Sequence, residues 1–400
     1  VAIGKNALAA NTTAANNTAV GYTALSSNTT GTAHTAVGKD SLRANTTGTR
    51  NTAVGNASLE INTTGDDNVA IGDYALYNNT TANNNVAVGK DAMLSNTTGT
   101  RNTAVGYAAG DAMTTVSDNT YVGHGAGTAN TGGDHNTGIG QASMDELTTG
   151  ANNTALGSNS LSGVVTGDSN TAVGKSALNA NTSGTSNTLI GALAGDAITT
   201  GSYNVGTGTG ALGTNILGSA SVAMGHSALA TQNYGTATDA FNVAIGHEAG
   251  AAVTTGVRNT IMGGIAGDAL TDADYNVAMG YQALSTDTLG SRSVALGYNA
   301  LSTQNFTTAT NSLNVAVGYS SGAAVTTGTD NTFVGNESGS AVTDGNTNIA
   351  VGSFALNTNQ RGDRNVAVGF ESLKVMNPSG DVDTYNTAVG YQSGVAMTTG

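Results

Sequence analysis

The sequence predicts an all-β fold, a parallel β-solenoid of the β-roll type built from 17-residue coils. Three observations predict it: a short phrase recurs with a fixed period along the 400 residues, apolar residues alternate within the phrase, and turn-forming residues separate its copies. One such coil cannot bury its apolar side chains alone. Successive coils are therefore expected to stack directly on one another.

The period is set by a glycine that ends each copy of the phrase, which we call the marker glycine. The step from Gly4 to Gly21 is repeated without change as far as Gly225. Some later steps are longer because the coil carries an insertion, and these end at Gly246, Gly318 and Gly390. Three ordinary coils and one longer coil separate each of these last markers from the next. The pattern indicates a super-repeat of four coils.

The whole of residues 1–400 is predicted to be one continuous array and a fragment of a longer repeat protein. Residues 1–225 form uniform 17-residue coils in this interpretation. Residues 226–400 carry a four-residue insertion in every fourth coil.

The strand of each coil is predicted from the residues just before the marker. Val69 and Ile71 flank Ala70, and the same alternation recurs along the chain. It is the two-residue period of a β-strand, and the spacing of three and four residues that is typical of a helix is absent. We expect the Val and Ile side chains to face the core and the Ala side chains to face away from it. A second pair of apolar residues follows the marker, for example Ala24-Leu25. A polar Asn-Thr-Thr-Gly turn completes the coil.

Asparagine recurs four residues before the marker. Stacked identical amides can form hydrogen bonds along the axis of a solenoid, and asparagine is also a common turn residue, so both interpretations stay open. His34, Ser221 and Ser293 take its place in three coils. The predicted asparagine ladder includes Asn17, Asn51, Asn68, Asn85 and Asn102.

One coil in four replaces the small central residue of the strand with a large one. In the same coils the Leu four residues after the marker becomes Gly, which predicts that the two columns meet each other or meet a common partner surface, because packed interiors do not tolerate extra volume. We expect this column to be an interface with another copy of the chain; the alternative is a flattened solenoid with a thin double-sided core. The large residues are Tyr121, Leu189, Ile261 and Phe333, and the glycines are Gly127, Gly195, Gly267 and Gly339.

The four-residue insertions are the candidate contact loops. They fall near the polar turn, and loops on a rigid scaffold are common sites of recognition. We expect Tyr234, Phe306 and Pro378, one in each insertion, to project toward a partner.

Composition argues against several functions. The net charge of -14 and a charged fraction of 10% are unfavourable for a nucleic-acid groove. There is no stretch of about 18 apolar residues, so no membrane insertion is predicted for this segment. We found no nucleophile, base and oxyanion set apart from the repeat, and therefore expect no catalytic residues and no cofactor.

A metal site is not predicted either. His226 and His247 follow successive markers, with Glu248 alongside, but only two imidazoles are within reach of each other. A zinc-like site needs three or four converging ligands.

The phrases "NTAVGYTAL", "NVAIGDYAL", "NVAMGYQAL" and "NTAVGYQSG" resemble the head repeats of YadA-like trimeric autotransporter adhesins and similar repeats in phage tail fibres. The resemblance covers essentially the whole chain. It implies a left-handed parallel β-roll, commonly trimeric, that is exposed on a cell or virion surface and used for attachment. Asn242-Val243-Ala244-Ile245-Gly246 matches the strand phrase of that family.

We therefore expect a non-enzymatic extracellular or virion surface fibre or adhesin shaft. Its expected partners are copies of itself, as a homotrimer or filament, and a cell-surface receptor or glycan. One alternative is a filament that grows by stacking of solenoid ends, whose unpaired edges are templates for pairing. An ice-binding solenoid is a further alternative, but its Thr-x-Thr array lapses in coils such as "TTVSD".

Overall fold

The computed structural model describes residues 1–380 and 382–399, and within these ranges the chain is all-β with no helix. The predicted parallel β-solenoid with 17-residue spacing is confirmed. The chain divides into two compact units, Val1–Thr200 and Gly201–Gly400.

The first unit is a stack of short parallel strands. Each strand pairs with the strand one coil later, so that Thr18 lies opposite Thr35 and Ala19 opposite Ala36. Equivalent residues therefore form columns along the stack. The strands are β1 Ala2–Ile3, β2 Thr18–Val20, β3 Thr35–Val37, β4 Thr52–Val54, β5 Val69–Ile71, β6 Val86–Val88, β7 Thr103–Val105, β8 Thr120–Val122, β9 Thr137–Ile139, β10 Thr154–Leu156, β11 Thr171–Val173 and β12 Thr188–Ile190.

The second unit repeats this arrangement and adds short strands beside the insertions. Its main strands are β13 Val205–Thr207, β15 Val222–Met224, β17 Val243–Ile245, β18 Thr260–Met262, β19 Val277–Met279, β21 Val294–Leu296, β23 Val315–Val317, β24 Thr332–Val334, β25 Ile349–Val351, β27 Val366–Val368 and β29 Thr387–Val389. The short strands pair in parallel as β14 Gly218–Ser219 with β16 Thr238–Asp239, β20 Gly290–Ser291 with β22 Thr310–Asn311, and β26 Gly362–Asp363 with β28 Val382–Asp383.

The marker glycine is required by both conformation and space. Gly72, for example, has a φ of +134°, a region that only glycine adopts readily. A Cβ built on Gly72 would also lie 2.5 Å from the carbonyl oxygen of Gly89 in the next coil. The repeated marker therefore lets the chain turn at the end of each strand while successive coils stay in hydrogen-bonding contact.

The corner after the marker places larger residues in the left-handed conformation. Thr23 and Leu25 have φ values of +53° and +52°. A non-glycine residue in this region costs about 1–3 kcal/mol. Leu25 is fully buried, so the burial of its side chain offsets this cost.

The expected orientation of the strand is wrong. Ala70 is fully buried, whereas Val69 is half-buried and Ile71 is 40% exposed. The inner face of each strand lies against the Leu side chain from the corner, and this leaves room for little more than a methyl group. The larger Val and Ile side chains therefore lie on the outside.

Candidate functional site

Two columns rich in asparagine run through the interior of the first unit. In the second unit one column stays mostly asparagine, whereas the other is mostly Val, Leu, Met, Gln or Asp. Asn51, Asn68, Asn85 and Asn102 are fully buried, and Asn17 is 7% exposed. The backbone N–H groups of Asn68, Asn85 and Asn102 each donate to the side-chain oxygen of the asparagine one coil earlier, for example Asn85 to Asn68 at 3.0 Å. The side-chain amide of Asn51 donates to the carbonyl of Gly65 in the turn that follows at 2.7 Å. The column thus joins neighbouring strands and also connects each strand to a turn.

A direct ladder of side-chain amides lies in a second column that the sequence analysis treated only as a turn. The amide of Asn45 donates to Asn28 at 2.9 Å, and that of Asn62 donates to Asn45 at 2.8 Å. The same bond recurs from Asn79 to Asn62 and from Asn96 to Asn79. These residues begin the Asn-Thr-Thr-Gly turns, or Asn-Thr-Thr-Ala in the case of Asn79. The sequence did not reveal that their side chains are buried.

His34 takes the place of asparagine in the first column and makes equivalent bonds. Its Nε2 lies 2.6 Å from the carbonyl oxygen of Gly48, and its Nδ1 accepts from the backbone N–H of Asn51 at 3.2 Å. The proton is therefore on Nε2. Burial of the ring lowers the pKa of His34, which favours the neutral imidazole that this pairing requires.

Asp287 takes the place of asparagine in the second column and brings a carboxyl group into the interior. Its Oδ1 accepts from the backbone N–H of Gly290 at 3.0 Å and of Phe306 at 3.1 Å. Gln304 donates to its Oδ2 at 2.5 Å. Burial nevertheless raises the pKa of Asp287, because desolvation of the charged form outweighs these bonds.

The large central residues of every fourth coil lie inside the chain, and the hypothesis that they form an interface is wrong. Tyr121, Leu189, Ile261 and Phe333 are all fully buried within a single chain. They occupy the inner face of the strand, where a second copy cannot reach them. This column belongs to the core.

The predicted meeting of the two columns is correct. A Cβ at Gly127 would lie 2.5 Å from the ring of Tyr121, and one at Gly339 would lie 2.5 Å from the ring of Phe333. Gly322, one coil before Gly339, also faces Phe333, at 2.9 Å from such a Cβ. Each ring thus fills space that leucine occupies in ordinary coils.

The three residues named as candidate loop contacts also point inward, which corrects that prediction. Tyr234 is 5% exposed, Phe306 is 6% exposed and Pro378 is buried. A Cβ at Gly218 would lie 2.8 Å from the ring of Tyr234, and one at Gly290 would lie 2.8 Å from that of Phe306. Each of these two insertions therefore uses its ring to fill the interior beside a turn glycine.

The surface that the strands expose is uncharged. We define the outer sheet face as the first and third residues of the three-residue strands, which are Thr, Val, Ile, Leu or Met throughout. Ile139 and Leu156 lie opposite each other on it and are 39% and 38% exposed. Sequence reasoning missed this surface because it assigned the larger side chains to the core.

A row of exposed side chains runs beside that face, and we define the outer row as the residues that directly follow the marker glycines. Tyr281, Tyr298 and Tyr319 stack in the outer row with ring centroids 5.8 and 5.1 Å apart. His226 and His247 stack in the same way at 5.2 Å. The parallel register of the coils places these rings over one another.

No cavity is found in residues 1–380 and 382–399. In the same part of the chain, no helix has the length and the apolar character that crossing a bilayer requires. No protein-family model matches the chain, and no curated protein is similar to it in sequence.

Proposed function

We propose that the chain is a non-enzymatic structural repeat protein, part of an extracellular or virion surface fibre or adhesin shaft that mediates attachment. The outer sheet face is the observation that carries this proposal. Each three-residue strand adds two uncharged side chains to it, in one register, coil after coil. The third strand positions form a column of Val, Ile, Leu and Met that is interrupted in the three-residue strands only by Thr207, whereas Thr is common at the first positions. Contiguous exposed apolar surface is typical of interaction sites.

A second copy of the chain is the proposed partner of the outer sheet face. Its own face repeats with the same coil spacing, so matching columns can pack along the whole contact. Neither face carries a charge that would lose its hydration on contact. The resemblance to adhesin heads implies a trimer, and a closed symmetric assembly of this kind covers the face on every subunit.

Attachment is assigned to the outer row. Tyr281, Tyr298 and Tyr319 are 43–54% exposed, and stacked aromatic rings offer flat apolar surface with polar edges. A receptor protein or a glycan is the expected ligand. Substitution of these three tyrosines by Ser is expected to abolish binding to immobilised glycans or cell-surface proteins without changing the mass of the assembly.

Light scattering over a range of concentrations tests the self-association. We expect three times the chain mass of 39.2 kDa for the native protein and a single-chain mass for the double variant Ile139→Lys, Leu156→Lys. The matched control is Thr30→Lys, Thr47→Lys, in exposed turn positions away from the outer sheet face. This control is expected to remain trimeric.

Two results would contradict the interface. A native protein that stays at the single-chain mass at all concentrations would exclude self-association. Growth in mass without limit, unaffected by lysine on the outer sheet face, would indicate filaments formed by end-to-end stacking instead.

A further inference from the structure

His226, His247 and Glu248 form a cluster that the repeat itself does not require. One ligand atom from each lies within 4.8 Å of the other two, and the imidazoles are stacked 5.2 Å apart with 14° between their planes. The carboxylate of Glu248 is 3.9 Å from Nε2 of His247. Two nitrogen donors and one oxygen donor therefore converge on the same point of the surface.

The backbone holds these three side chains in place. Met224 pairs with Ile245, which brings the residues two positions later, His226 and His247, one above the other. The backbone N–H of Glu248 donates to the carbonyl of His226 at 2.9 Å. Strand pairing on one side of the cluster and this bond on the other fix the spacing of the ligands.

We propose that His226, His247 and Glu248 bind one divalent transition-metal ion of the Zn²⁺, Cu²⁺ or Ni²⁺ class. Imidazole nitrogen suits these metals, whereas Mg²⁺ and Ca²⁺ prefer oxygen ligands alone. Three protein ligands with water in the remaining position are a common zinc arrangement.

The distances require only a small adjustment. Tetrahedral zinc with bonds of about 2.1 Å separates its ligand atoms by about 3.4 Å. The two imidazoles are exposed and Glu248 is half-buried, so side-chain rotation can close the gap from 4.8 Å without moving the strands.

The ion would join the two ends of a lengthened coil. Residues 226–246 form the lengthened coil that contains the first four-residue insertion. His226 is the first residue of this coil, and His247 directly follows its last residue. A metal that binds only the folded arrangement stabilises it. The cluster would thus add a link between the two coils that the lengthened coil separates in sequence.

Isothermal titration of the chelator-treated full chain with ZnCl₂ tests the proposal. We expect saturable binding of one ion per chain, lost in His226→Ala and in His247→Ala and weakened in Glu248→Gln, in which a neutral amide oxygen replaces the carboxylate ligand. His124→Ala is the matched control, because His124 occupies the outer row but stacks on Tyr107 and has no second imidazole beside it. The control is expected to bind zinc like the native chain.

A second measurement does not depend on zinc calorimetry. Cu²⁺ bound to the native chain should show coupling to two imidazole nitrogens in its paramagnetic resonance spectrum, and zinc should raise the urea midpoint of the native chain but not of His226→Ala. Absence of saturable binding, or binding that is unchanged in both histidine variants, would overturn the proposal. Circular dichroism confirms that the variants remain folded.

Discussion

Ala278 and Met279 are neighbours in β19 and lie in opposite environments. Ala278 is fully buried on the inner face of the strand, whereas Met279 is 36% exposed on the outer sheet face. The same contrast recurs between Ala70 and Ile71 in the first unit. The space inside a coil decides which face is buried, and the size of a side chain does not.

The inner face admits a large residue only where space is made for it. Ordinary coils combine a small strand residue with a large corner residue, as in Ala53 with Leu59. Every fourth coil exchanges the two sizes, as in Leu189 with Gly195. The outer face has no such coupling, since its side chains extend into solvent or toward a partner.

The largest expected effect comes from the residue at which the strand turns. Gly72→Ala places a Cβ 2.5 Å from the Gly89 carbonyl oxygen and strains a φ of +134°. We expect a loss of about 3 kcal/mol or more in the free energy of unfolding of that region. Ile71→Ala, one residue away on the outer face, is the control and should cost much less. Urea midpoints followed by circular dichroism measure both, and equal losses would contradict the contrast.

Exchanging the side-chain sizes of the strand residue and the corner residue within one coil tests whether the two side chains share the same interior space. Ala53→Leu should destabilise the protein by about 1–3 kcal/mol, because the interior is already filled. Leu59→Gly leaves a cavity and should also destabilise it. The double variant reproduces the Leu189 and Gly195 pair and should lose less than the sum of the single changes. Strict additivity in this double-mutant cycle would show that the two positions do not meet.

The buried carboxyl group of Asp287 is expected to have a smaller effect on stability, and this effect depends on pH. Burial raises the pKa of Asp287, so its contribution to stability is complete below the ordinary pKa near 3.8 and is lost as the pH rises through the folded value. Asp287→Asn should therefore raise the urea midpoint at pH 7 and give no advantage at pH 3. Asn215 and Asn359 are the equivalent residues one super-repeat before and after, and Asn215→Asp should lower the midpoint at pH 7. A variant difference that is the same at both pH values would exclude this mechanism.

The smallest effect is expected from charge on the outside. Arg50 donates two hydrogen bonds to the carboxylate of Asp67 in the next coil, at 2.6 and 2.8 Å. Both side chains are exposed, and exposed ion pairs contribute little to stability. Arg50→Gln should leave the urea midpoint almost unchanged, and any small difference should vanish in high salt. A loss as large as that of Ala53→Leu would contradict the ranking.

Periodicity was sufficient to predict the solenoid, its 17-residue coil and the contact between Tyr121 and Gly127. It did not predict which face is buried, because alternation assigns residues to two sides without saying which one is inside. Tyr234 and Phe306 were misplaced for a related reason. Aromatic residues in an insertion suggested contact with a partner, whereas the space beside Gly218 and Gly290 turns their rings inward.

The candidate surfaces depended on three-dimensional placement. The outer sheet face emerged only when Val and Ile were found outside the core. The approach of Glu248 to the two stacked imidazoles depends on a left-handed φ of +55° at that residue, which sequence spacing does not reveal.

Cysteine labelling tests the central claim most directly, because the native chain has no cysteine. Ala70→Cys and Ile71→Cys place a thiol on the inner and outer faces of β5. Both are made in the Ile139→Lys, Leu156→Lys background, in which the outer sheet face is expected to stay uncovered, and their rates of reaction with a maleimide can be compared in the folded protein and in urea. We predict that the thiol at position 70 reacts only after unfolding and that the one at position 71 reacts faster in the folded protein. A folded protein that reacts faster at position 70 than at position 71 would contradict the account.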